Sequence, residues 1–183
     1  MTTGDVPHLQ EKVLAGSLLT AGAGKASAAL DSFASWLLAG FGAALVLVIS
    51  SDSTIGKYVS EQDLKCAGVL FLWAAALTVI EKYLSALIVG AAETAAQAAE
   101  AGRRLADENV EINFSIVFQE LQSAVVWPAR WFVTRSQAKV LRGDFASSGR
   151  NLLRCAQAQG FLVLVTAVLL LAAVGTLIRG LNG

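Results

Sequence analysis

A single histidine, His8, and two cysteines, Cys66 and Cys155, leave this sequence almost without the side chains that bind transition metals or pair as nucleophile and base. One His far from either Cys gives no Cys–His pair, no His-based triad and no zinc spacing. Charge is also scarce. Only 15% of the 183 residues are Asp, Glu, Lys or Arg, against roughly 25% in ordinary soluble domains. The 14 acidic and 14 basic residues cancel, so no basic surplus points to a nucleic-acid partner. Proline occurs only at Pro7 and Pro128, so long helices can run between them without a break.

What is present is apolar and helix-forming. Hydrophobic residues make up 55% of the chain, and they are gathered in long uncharged runs, the mark of membrane spans rather than of a large soluble core. Ser32–Ser51 is uncharged between Asp31 and Asp52. At 1.5 Å per residue its length matches a hydrocarbon core of roughly 30 Å. Cys66–Ile80 is uncharged between Lys65 and Glu81, and Cys155–Ile178 between Arg154 and Arg179. Ser60–Asp63, SEQD, reads as an N-cap with acids in the first turn of the second span. The expected fold is therefore an all-α integral membrane protein with three transmembrane helices.

The second of these helices organises the rest. From Cys66 to Glu108 no proline intervenes, and the run passes from apolar residues through Glu81–Lys82 into an Ala-rich, mixed-charge tract. We expect one helix that extends from the membrane into a cytoplasmic helical hairpin region. Two rows run along it. Ala86, Gly90, Thr94, Ala98 and Gly102 are small and four apart, which suits close packing against another helix. Glu93, Gln97, Glu100, Arg104 and Asp107 read as the wet face, with Glu100–Arg104 an i,i+4 pair.

Glu81 and Lys82 have two readings. They either lie within the membrane as an ion or proton site, or mark the far interface, with Lys82 snorkelling beside Tyr83. The second is the simpler. Trp36, Tyr83, Trp127 and Trp131 are expected as interface anchors. Phe114, Val117, Phe118, Leu121 and Val125 repeat at helical spacing before Trp127-Pro128, so residues 112–132 read as a helix in the interface or in a cytoplasmic core.

The amino-terminal stretch is ambiguous on its face. Val13–Ala23 followed by Ala26-Ser27-Ala28 resembles a signal peptide, but acids precede it. An amphipathic helix lying on the membrane or packed beside the first span, with Leu14, Leu18, Leu19 and Ala23 as its apolar stripe, is the better reading. Gly22–Lys25, GAGK, lacks the first Gly of a phosphate loop and the Ser or Thr after Lys. Leu19 and Ala26 stand there instead.

The expected organisation is an amphipathic segment (1–31), a transmembrane hairpin (32–92), a cytoplasmic or interfacial helical region (93–154) and a final span (155–183). Nine of the 14 Lys and Arg lie from Lys82 to Arg154. The positive-inside rule then places the amino terminus and residues 81–154 in the cytoplasm of a plasma (inner) membrane, and the carboxyl terminus outside. No catalytic residue, metal or cofactor is expected. The partners expected are the lipid bilayer and either further copies of the chain, as a homo-oligomeric channel or pore, or the other subunits of a membrane complex that this chain would serve as an accessory or scaffold.

Overall fold

Ala and Leu dominate the runs on either side of Lys65, and both favour helix. The structure, a computed structural model, describes residues 6–50, 60–107, 116 and 146–181. Helix α1 is Val6–Ser50, α2 is Glu61–Asp107 and α3 is Ser147–Leu181. Pro7 falls in the first turn of α1, where its missing N–H costs nothing. Ser60 caps α2: its Oγ accepts from the Asp63 N–H at 3.1 Å, and the Leu64 N–H reaches the Ser60 carbonyl at 3.1 Å. Glu61 and Asp63 place negative charge at the positive end of the helix dipole, as the SEQD pattern suggests. All three helices are long and apolar enough to cross a membrane.

Each helix buries one narrow face. On α1 it carries Gly16, Thr20, Ala23, Ser27 and Ala34; on α2, Ala67, Ala74, Thr78, Glu81, Ser85 and Ile88; on α3, Gly149, Ala156, Gln159, Val163, Thr166, Leu170 and Ala173. The steps of three, four and seven average 3.5 residues, the repeat of helices packed knobs-into-holes. Most of these residues are small, which lets backbones approach closely.

The chain divides into two compact units. The described part of one, within residues 1–25 and 88–154, brings the start of α1 against the end of α2 and the start of α3. A Cβ at Gly149 would lie 2.7 Å from the Gly16 carbonyl oxygen and 2.9 Å from Leu19 Cβ, and a Cβ at Gly24 would lie 2.7 Å from Ala92 Cβ. Only glycine permits those approaches.

The other unit, residues 26–87 and 155–183, contains an apolar band. On α2 the band lies between Lys65 and Lys82, a rise of about 26 Å. Within it α1 and α2 are antiparallel, as the pairs Ser27–Ser85, Asp31–Lys82 and Gly42–Phe71 show. Helices α2 and α3 are likewise antiparallel, with Glu81 beside Gln159 and Asp63 beside Gly180.

Several sequence expectations change on this frame. α1 runs unbroken through 31/32, and α2 runs unbroken through 92/93 as the single helix the sequence suggests. Of the expected amphipathic stripe on α1, Leu14 and Leu18 are exposed, Leu19 is half-buried and only Ala23 is buried. The buried face is the Gly16–Thr20–Ala23 row, because close approach of α3 at Gly149 requires small residues there. Residues 112–132 lie outside the described residues apart from Ile116, which is helical and exposed.

Candidate functional site

At the edge of the apolar band a polar cluster is closed off by all three helices. The 3.5-residue repeat turns Ser27 of α1, Glu81 and Ser85 of α2 and Gln159 of α3 inward at one level. The Glu81 side chain is 0% exposed, as are Ser27 and Gln159. Gln159 Nε2 donates to Glu81 Oε1 and, at 3.1 Å, to the Ser27 carbonyl. Ser27 Oγ donates to Gln159 Oε1 at 2.6 Å. A hydroxyl has one hydrogen, so the 3.2 Å contact between Ser27 and Ser85 is completed by the Ser85 hydroxyl.

The count leaves one atom over. Glu81 Oε2 is buried with no hydrogen-bond partner. Burying a carboxylate is costly unless it is paired and hydrogen-bonded, and this one receives a single neutral donor. Thr166 Oγ1, seven residues beyond Gln159 on the same face of α3, is also buried without a partner.

The neighbouring charge does not fill the gap. Lys82 projects outward, donating to Asp31 Oδ1 at 2.8 Å and Ser35 Oγ at 2.7 Å. Both partners of that ion pair are partly exposed, so it is neutralised among its own members and contributes little to stability. Adjacent positions on a helix point about 100° apart, which is how Glu81 and Lys82 come to lie in such different surroundings. The pair does stand at the edge of the apolar band; Tyr83, next to Lys82, and Trp36 (78% exposed), next to its α1 partner Ser35, are both exposed. Trp127 and Trp131 lie outside the described residues.

No known family matches this chain. A scan against models of protein families finds none, and searches of curated proteins and of solved structures find no similar protein.

The small-residue row is found elsewhere than in the chain's own core. Ala86, Gly90, Thr94 and Ala98 are exposed and Gly102 is half-buried. A Cβ at Gly90 or Gly102 would meet nothing within 4 Å. The face of α2 through Ala74, Thr78, Glu81, Ser85 and Ile88 makes the contacts within the chain, and the small row points away from it. Glu93, Gln97, Glu100 and Arg104 are exposed, and Glu100–Arg104 forms the expected pair at 3.1 Å. Among the described residues no group of three or more His, Cys, Asp or Glu could hold a metal ion. Cys66 and Cys155 are free thiols.

Sequence reasoning found Glu81 but missed Ser27, Ser85 and Gln159. A signal was present: Glu81 and Ser85 are four apart on one helix face, and Gln159 is one of two amides, with Gln157, within a long uncharged run.

Proposed function

We propose that this chain is a non-enzymatic integral membrane protein that assembles with copies of itself, burying the Ala86–Gly90–Thr94–Ala98–Gly102 row between protomers. The observation that carries this reading is that the row is exposed in the single chain and open around Gly90 and Gly102. Small residues four apart make a shallow groove that lets a second helix approach closely, which is the main source of helix association in lipid. The membrane setting is supported by an inside-out distribution of side chains. Leu47, Leu72, Trp73, Val79, Phe161 and Leu171 face outward, while Ser27, Glu81, Ser85 and Gln159 face inward.

The polar side chains inside one chain bond to one another across the three helices, so a channel or pore would form between protomers. The excess of Lys and Arg from Lys82 to Arg154 supports an orientation in a plasma membrane with that segment and the amino terminus cytoplasmic and the carboxyl terminus outside. Native mass spectrometry of the full chain in mild detergent, with Gly90→Cys cross-linking in membranes, tests assembly. A discrete homo-oligomer cross-linked through position 90 is expected. A strict monomer overturns the reading. Co-purification of other subunits at fixed stoichiometry, without self-cross-linking, replaces it with an accessory role in a larger complex.

A further inference from the structure

The unit that holds the start of α1 and the end of α2 leaves two outward faces open. On α1, Leu14, Leu18, Ala21 and Lys25 recur at steps of four, three and four, along one side of the helix. All of them are exposed, Leu14 by 60% and Leu18 by 64%. The uncharged run that carries them extends only from Val13 to Gly24, between two lysines. That is about 18 Å of helix, too short to form a span by itself. On α2 the open face is the Gly90–Thr94–Ala98 row, which offers space rather than bulk: a Cβ at Gly90 meets nothing within 4 Å. One face is a ridge and the other a groove.

The two faces share a register. The close approach of Gly24 to Ala92 aligns the antiparallel helices. Counting outward from it, Leu18 stands level with Ala98, Leu14 with Gly102 and Lys25 with Ala91. Glu93, at the rim of the groove, is then about 3 Å along the axis from the height of Lys25. Both charges are exposed, and neither forms an ion pair among the described residues.

We propose that the Leu14–Leu18–Lys25 face of α1 docks into the Gly90–Thr94–Ala98 groove of a second copy of this chain, with Lys25 paired to Glu93 across the contact. The inference rests on the self-assembly proposed above and names the surface that fills the row. Copies related by rotation about the membrane normal keep every residue at its own height. α1 of one copy therefore meets α2 of the next in the register already set within the chain, with Leu18 over Ala98 and Lys25 beside Glu93. Large side chains entering a row of small ones are how helix ridges and grooves interlock. Packing α2 on α2 would instead set groove against groove and bring the two copies' Glu93 side chains to one height. A contact made from two different faces is head-to-tail, so it closes into a ring rather than stopping at a two-fold dimer. The Gly90→Cys cross-link that reports assembly then runs to Lys25 of the next copy, through a thiol–amine reagent.

The test co-expresses two differently tagged full chains lacking native thiols (Cys66→Ala/Cys155→Ala), one with Leu18→Cys and one with Ala98→Cys, and oxidises the membranes. A disulfide joining the two tags is expected. None is expected when Ser17→Cys replaces Leu18→Cys, because that position is exposed but lies about 100° round the helix. Lys25→Glu and Glu93→Lys should each weaken association in detergent about five-fold, as the loss of an exposed ion pair implies, and the double exchange should restore it. Every substituted position in these chains apart from Cys155 is exposed, so the fold of the single chain is not at stake in the docking variants. Self-linking of the Ala98→Cys chain without the mixed product overturns the inference in favour of a two-fold α2 contact, and leaves self-assembly standing. An oligomer in native mass spectrometry with no disulfide, and no loss of assembly in Leu18→Glu, gives the α1 face to lipid or to another subunit and also overturns it. A strict monomer removes both readings together.

Discussion

Two kinds of residue dominate at the smallest scale: the members of the polar cluster and the glycines at close approaches. Gln159 is the hub of the cluster, bound to Ser27 and Glu81 through three hydrogen bonds of its amide. Gln159→Leu would leave buried Glu81 Oε1 without its donor and the Ser27 hydroxyl without its Gln159 acceptor. Unsatisfied buried groups cost about 1–3 kcal/mol each, more when charged, so the variant should lose about 3 kcal/mol by unfolding in detergent. The double variant Glu81→Leu/Gln159→Leu should regain most of that loss, because replacing both members of a buried polar pair by apolar ones is often neutral. A double variant less stable than Gln159→Leu would show that the cluster is not coupled in this way. Gly149 makes a sharper steric case. Gly149→Ala sets a Cβ against the Gly16 carbonyl, a backbone atom that cannot swing aside, and should cost about 1–3 kcal/mol by overpacking. Gly22→Ala, with nothing within 4 Å, should instead gain up to about 1 kcal/mol from helix propensity. Comparing the two Tm values separates packing from propensity.

Individual helices carry the next level. The start of α2 depends on Ser60, whose Oγ accepts from the Asp63 N–H and donates to the Asp63 carboxylate. Ser60→Ala should cost about 1 kcal/mol and Ser60→Gly only a few tenths, read from thermal unfolding; equal losses in both would place the effect outside the cap. Along the same helix, the small row and the wet row stand on different sides. Gly90→Leu should lower the oligomer fraction in native mass spectrometry, since overpacking a close seam costs about 1–3 kcal/mol and lipid gives little hydrophobic drive to offset it. Ala96→Leu is the matched control. Ala96 is also exposed, but it lies about 160–200° around the helix from Thr94 and Ala98. Circular dichroism should show helix content held in both. Ala91, though next to Gly90, is a poorer control because it is partly covered within the chain.

For the whole molecule the central question is orientation across the bilayer. In a background with Cys66→Ala and Cys155→Ala, a cysteine at Gln62 should react with a membrane-impermeant thiol reagent in intact cells. One at Ala99 should react only after the membrane is opened. Both positions are exposed, so access is governed by the membrane rather than by burial; Ser147 would be a poor probe because it is buried. Reaction at Ala99 and not at Gln62 in intact cells would invert the proposed orientation.

The existence of α2 and α3, and the cap at Ser60, could be read from the sequence because they depend on local quantities: uncharged run length, helix propensity, and a Ser three residues before an acid. The Glu100–Arg104 pair was legible for the same reason, being set by spacing along one helix. The inward face of each helix was not. Leu14 and Leu18 have the hydrophobicity of a core stripe, yet they face outward, while Gly16, Thr20 and Ser27 are buried. In a soluble protein hydrophobicity selects the buried face. In the lipid setting proposed for this bundle it would not, and close approach favours small residues instead. Periodicity alone leaves several candidate rows of Ala, Gly and Ser on α2, and only the positions of α1 and α3 decide which row is covered within the chain. The same holds for Glu81. Its place at the edge of an uncharged run was visible in the sequence, but its burial beside Ser27, Ser85 and Gln159 depends on three helices meeting at one level, and residues separated by 58 to 132 positions in the chain carry no local signal of that meeting.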